Sequence, residues 1–114
     1  VIVPGGFTWV GFIGMTMLGG VAVPIAEELF FRGVLYRWLR QTRGVWFSIA
    51  VSAAIFGAVH GELVVIPGAM ALGVILAWLY ERSQSLWPGI AFHIINNSTA
   101  IILAYLLAAS GVRF

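Results

Sequence analysis

The chain has 114 residues, 61% of them hydrophobic and 9% charged, with six Arg, four Glu and no Lys, Asp or Cys. A water-soluble domain carries about a quarter charged residues, so this composition could not cover a water-facing surface and reads as a membrane protein. The lack of Cys excludes disulfides, thiolate metal sites and Cys nucleophiles, and the formal charge of +2 is concentrated in a way that excludes a nucleic-acid surface. Arg32, Arg37, Arg40 and Arg43 fall in one short segment, which suits a membrane flank better than a phosphate-tracking face.

A membrane helix needs about 20 mostly apolar residues. The first apolar run extends from Phe7 to Ile25 and continues with helix-compatible residues to about Arg40. As one straight helix it would be roughly 50 Å long, so it either tilts and protrudes or breaks near Gly19, Gly20 and Pro24. A second run covers 45–60 and a third 64–79, entered near Pro67-Gly68. A fourth covers 86–109, with Ser83, Ser85 and Pro88 marking its start. No strand alternation or repeat is present. The expected fold is all-α, a polytopic transmembrane bundle of about four membrane helices, with 1–114 as a single membrane-embedded core. The chain does not start with Met and shows no signal peptide, so a piece of a longer multi-helix protein is expected. The Arg-rich loop 37–43 is expected in the cytoplasm, because the second connection carries only Glu62. Trp38, Trp46 and Trp87, near segment ends, fit an interfacial aromatic belt.

Glu27 and Glu28 sit inside the first apolar stretch. Ionisable groups at bilayer depth are costly and mark pairing or function. Two successive glutamates cannot both pair with Arg32: Glu28 and Arg32 are i,i+4 and share a face, while Glu27 lies about 100° around. Glu28–Arg32 therefore reads as a structural ion pair. Glu27 reads as a carboxylate whose apolar setting would raise it toward the range of a general base. His93 and Asn97 are also i,i+4, and Phe56 precedes His60 by the same spacing. Counting along the helices from the two turns on the Arg-rich side puts Glu27 roughly 22 Å, His60 roughly 27 Å, His93 roughly 15 Å and Asn97 roughly 21 Å from that side. These depths overlap within the error of turn placement. Each residue also has a plainer reading: a lone His is commonly a hydrogen-bonded core residue, Asn97 and Asn96 can be helix–helix glue, Phe56 can be packing, and Glu62 a solvated loop charge.

Three motifs resemble a known family. Glu27–Arg32 has the form EExxxR, Phe56–His60 the form FxxxH, and His93–Asn97 the form HxxxN. In this order, on successive apolar segments, they are similar to the CPBP intramembrane proteases, also called the Abi or CAAX-protease family. The resemblance implies an intramembrane endopeptidase. In it Glu27 and His60 would activate a water, His93 and Asn97 would donate to the oxyanion, and Glu28 and Arg32 would brace the site beside Phe56. It implies a bilayer environment, most simply a bacterial or archaeal plasma membrane, and a peptide, prenylated or transmembrane protein substrate. It favours no cofactor, although Glu27, His60 and His93 could alternatively ligate zinc with an open position for water. A non-catalytic scaffold or bacteriocin-immunity module of the same fold is the alternative. A transporter with a Glu/His proton relay is a third, less suited to an amide such as Asn97.

Overall fold

A computed structural model describes residues 5–112 and contains only helices as regular elements among them. We number these α1 (Trp9–Thr42), α2 (Val45–Ala58), α3 (Ile66–Ser83) and α4 (Trp87–Ala109). Local chemistry sets their ends. The Thr8 side chain caps α1 by accepting from the Gly11 amide at 3.1 Å. Pro67 occupies the first turn of α3, where its missing N–H costs nothing. Gln84, in the left-handed conformation (φ 54°), closes α3 by donating its amide to the Tyr80 carbonyl at 2.8 Å.

The first helix does not break at Gly19, Gly20 and Pro24. It remains continuous over 34 residues and instead widens into π-helical turns at Thr16–Ala22 and again at Phe31–Tyr36. The α1 and α4 helices are each long and apolar enough to cross a membrane. Only 11% and 22% of their most apolar windows is buried, so their apolar side chains face outward, as lipid-exposed helices require and water-exposed ones do not. Trp38, Trp46 and Trp87 are 64%, 78% and 76% exposed, as an interfacial belt demands. At 14 residues, α2 is apolar but only about 21 Å long, short of a full hydrocarbon layer of about 30 Å.

The described chain divides into two compact units, one running up to Ala26 and resuming at Ala91, the other Glu27–Ile90. In the second unit α2 and α3 form a tight antiparallel hairpin. Its seam is built from small residues four apart on each helix, Ala53 with Gly57 and Ala69 with Gly73, all buried. A Cβ on Gly57 would meet the Met70 side chain and lie 3.1 Å from the Ile66 carbonyl, and one on Gly73 would meet the Ala53 Cα at 3.0 Å, so backbones this close need glycine. Beside the seam, Phe31, Phe56, Ala69 and Leu76 form one buried cluster and Tyr36, Ile49 and Ala77 another.

Candidate active site

Glu28 and Arg32 are both 1% exposed and form the i,i+4 ion pair that their spacing predicts, Nη1 to Oε1 at 3.1 Å. The same guanidinium does more. Its Nη2 donates to the Gly73 carbonyl at 2.9 Å, pinning α1 to α3, and its plane lies over the Phe56 ring of α2 at 4.7 Å. Phe56 is fully buried and meets Phe31 edge-on at 5.1 Å. One side chain thus ties three helices together, and the EExxxR and FxxxH motifs share it as their contact. Gly89 borders the pair: a Cβ there would lie 3.2 Å from Glu28 Oε2. Glu27, on the next face of α1, is half-buried.

His60 lies just past α2, not within the helix as the apolar run suggests. Gly61 adopts φ 77° and ends the helical winding. The His60 amide bonds to the Gly57 carbonyl at 3.2 Å, three residues back, which leaves the Phe56 carbonyl without its usual amide. The His60 ring takes that place, with Nδ1 at 2.7 Å from the Phe56 carbonyl oxygen. A carbonyl only accepts, so Nδ1 carries the proton, and the tautomer compatible with this bond is the one whose Nε2 presents a lone pair. The FxxxH spacing is therefore that of a side chain capping its own helix and fixing its tautomer. His60 meets the edge of the Phe56 ring at 5.0 Å and is otherwise exposed, as is Glu62 nearby.

His93 and Asn97 belong to the first unit, on α4. His93 is buried, at 1% exposure. Asn97 is half-buried and donates Nδ2 to the Gly19 carbonyl at 3.2 Å. The adjacent Ser98 donates Oγ to the Gly20 carbonyl at 3.3 Å. Pro24 explains one of these contacts. Val23 donates its amide five residues back, to the Leu18 carbonyl, and in that register the next amide would serve Gly19, but Pro24 has no N–H to give. In an apolar segment such a carbonyl must be satisfied by a neighbouring side chain. The Gly20 contact is also close, since a Cβ there would come within 2.6 Å of Ser98 Oγ. Asn97 is thus the helix–helix glue that one reading of its position expects, and Ser98 joins it, with Pro24 five residues after Gly19 as the sequence signal for the Asn97 acceptor. Helix bridging falls to Asn97 and Ser98 rather than to Asn96, which is exposed and donates only to Asn97 Oδ1 at 3.3 Å.

Residues 9–99 match the family described as type II CAAX prenyl endopeptidase Rce1-like. The chain belongs to this Rce1-like family. The Bacillus subtilis (strain 168) protein YdiL, named as a candidate membrane peptidase, is 30% identical over 89 residues, which cover 78% of this chain. That alignment covers 36% of YdiL, so the chain spans about a third of the length of the curated relative it matches. No solved structure matches it. All three motifs of this Rce1-like chain, at 27–32, 56–60 and 93–97, lie inside the matched region.

Proposed function

We propose that this chain is the core of an intramembrane endopeptidase that cleaves a peptide bond near the C-terminus of a prenylated protein or within a membrane-associated peptide. The single observation that carries the reading is that one family match, over residues 9–99, takes in every ionisable or amide motif of the apolar segments. In the proposed mechanism, Glu27 takes a proton from a water as its oxygen bonds to the substrate carbonyl carbon. His60 Nε2 accepts a hydrogen bond from the same water. The carbonyl oxygen becomes an oxyanion, to which His93 and Asn97 donate. Glu27 then returns the proton to the departing amine as the C–N bond breaks.

The hydrogen bonds of the individual residues support these roles. The Phe56 carbonyl holds His60 in the tautomer with an accepting Nε2. Asn97 uses one amide hydrogen on Gly19 and has a second to offer. Glu28 is committed to Arg32, which makes it a brace rather than a base. Zinc on Glu27, His60 and His93 remains the competing chemistry, separated by the chelator arm below. We further propose a multi-pass arrangement in a bacterial-type plasma membrane, with the Arg-rich loop 37–43 on the cytoplasmic side.

Cleavage of prenylated and transmembrane peptides by the protein in proteoliposomes tests this. Glu27→Gln and His60→Ala should each lower the cleavage rate by about 10²- to 10⁴-fold, and His93→Ala by about 10²-fold. Unchanged cleavage in all three would remove the protease reading. Activity should survive EDTA; loss that zinc restores would instead make Glu27, His60 and His93 metal ligands.

A further inference from the structure

A second polar feature of the Glu27–Ile90 unit lies about ten residues and roughly 15 Å further along α1 than Glu27. Here the ends of α1 and α3 enclose a cleft of about 220 Å³, bordered by Tyr36, Arg37, Arg40, Tyr80, Glu81 and Gln84, with Gln41 at its rim. We propose that this cleft binds a phosphate group, with Arg37 as its principal ligand.

The charges bordering the cleft point to an anion. Two guanidiniums against one carboxylate leave it at +1. Glu81 does not oppose an incoming anion, because Arg40 grips it in a fork, Nε to Oε2 at 2.9 Å and Nη2 to Oε1 at 3.1 Å. The Tyr36 hydroxyl adds a third bond, to Oε2 at 2.7 Å. Helix C-termini repel anions through their last carbonyls, but those of α3 are capped. Ser83 Oγ donates to the Leu79 carbonyl, the Gln84 amide to Tyr80 and Gln84 Nε2 to Glu81. The other arginines at this end are engaged as well: Arg43 lies over the Phe47 ring at 5.3 Å and Arg82 over Trp78 at 5.9 Å. Arg37 differs. It is exposed, borders the cleft, and has no hydrogen bond or ion pair among the described residues. The Tyr80 hydroxyl and the Gln41 amide, which also border the cleft, are further donors without an acceptor among the described residues.

The phosphate could be supplied by an anionic lipid headgroup or by free phosphate. The exposed Trp38 and Trp46 on the same stretch of chain mark headgroup depth, which favours the lipid.

The test measures thermal unfolding of the detergent-solubilised protein against added short-chain phosphatidylglycerol and, separately, inorganic phosphate. A saturable rise in midpoint is expected with phosphatidylglycerol. Arg37→Gln should raise the half-saturating concentration roughly tenfold, the worth of one charge-assisted hydrogen bond. Tyr80→Phe should raise it by a smaller factor. Arg82→Gln removes the same charge outside the cleft and should leave it within about twofold, since a surface arginine contributes only diffuse attraction. Saturation by inorganic phosphate at similar strength would identify free phosphate as the source. Equal losses in Arg37→Gln and Arg82→Gln, or no saturable rise with either probe, would overturn the proposal.

Discussion

Arg32 makes its contacts in a place where a cation would otherwise be ruinous. Its pairing with Glu28, its bond to the Gly73 carbonyl and its seat over Phe56 replace most of the water it has lost, while its buried Nε has no hydrogen-bond partner among the described residues. A buried pair is not in itself a large gain in stability, but removing one partner is expensive. Arg32→Met should therefore destabilise the fold by about 3–5 kcal/mol. Arg32→Lys should fall between this variant and the native chain, because a single ammonium lacks the fork that reaches Glu28 and Gly73 together. The double variant Glu28→Gln/Arg32→Met should be more stable than Arg32→Met alone. Denaturant unfolding of the native chain, Glu28→Gln, Arg32→Met and the double variant gives the coupling energy. Simple additivity would show that the pair does not brace the fold. The same reasoning separates the two adjacent glutamates: Glu28→Gln is expected to change stability first, Glu27→Gln to change cleavage first.

At the scale of the helix, Pro24 and Asn97 form one device, because Asn97 on α4 answers the Gly19 carbonyl that the proline leaves without an amide. Asn97→Ala should destabilise by about 1–3 kcal/mol, the cost of an unsatisfied buried carbonyl. In a Pro24→Ala background, where the amide is restored, the same substitution should cost clearly less. An equal cost in both backgrounds would break the link between proline and clamp. A second inter-helix tie joins the ends of α1 and α3. Glu81 lies beyond the apolar run of α3, and hydrogen bonds from Arg40 and then Tyr36 hold its carboxyl below the usual carboxylate range. The unfolded chain releases that constraint, so Glu81 adds stability above its unfolded value of 4.5 and loses it as pH falls through the lower folded value. The unfolding midpoints of the native protein and Glu81→Gln should therefore converge on acidification below about pH 4.5. A gap that persists in acid would mean that the bond contributes by packing alone. The helices themselves were legible in the sequence, since Pro67 and the Ser83–Ser85–Pro88 cluster act locally as punctuation. So was the Glu28–Arg32 pair, a matter of spacing on one helix. The π turns and the clamp were not, because the residues that answer the Gly19 and Gly20 carbonyls lie 78 positions away. Nor was the end of α2, where the bond from His60 to the Phe56 carbonyl competes with a further helical turn.

For the molecule as a whole, the outward apolar faces of α1 and α4 place the chain in lipid, and the short α2 sets what lies at depth. Starting from the exposed Trp46 at an interface, its 14 residues carry the chain only about 21 Å inward before His60 ends the helix. In the proposed arrangement, with Trp46 at an interface, the helix would stop within the hydrocarbon layer, where a polar turn has reason to exist only if it lines a polar cavity. The chain has no cysteine, so single substitutions report this directly. Gln41→Cys should react quickly with a membrane-impermeant maleimide applied from the cytoplasmic side. Glu62→Cys should stay unmodified from that side while reacting with a small permeant thiol reagent, and any reaction with the impermeant reagent should come from the opposite face. Equal labelling of both positions by the impermeant reagent from one side would show that the α2–α3 hairpin does not project into the bilayer. His60 would then be a surface residue, with no part in chemistry at membrane depth.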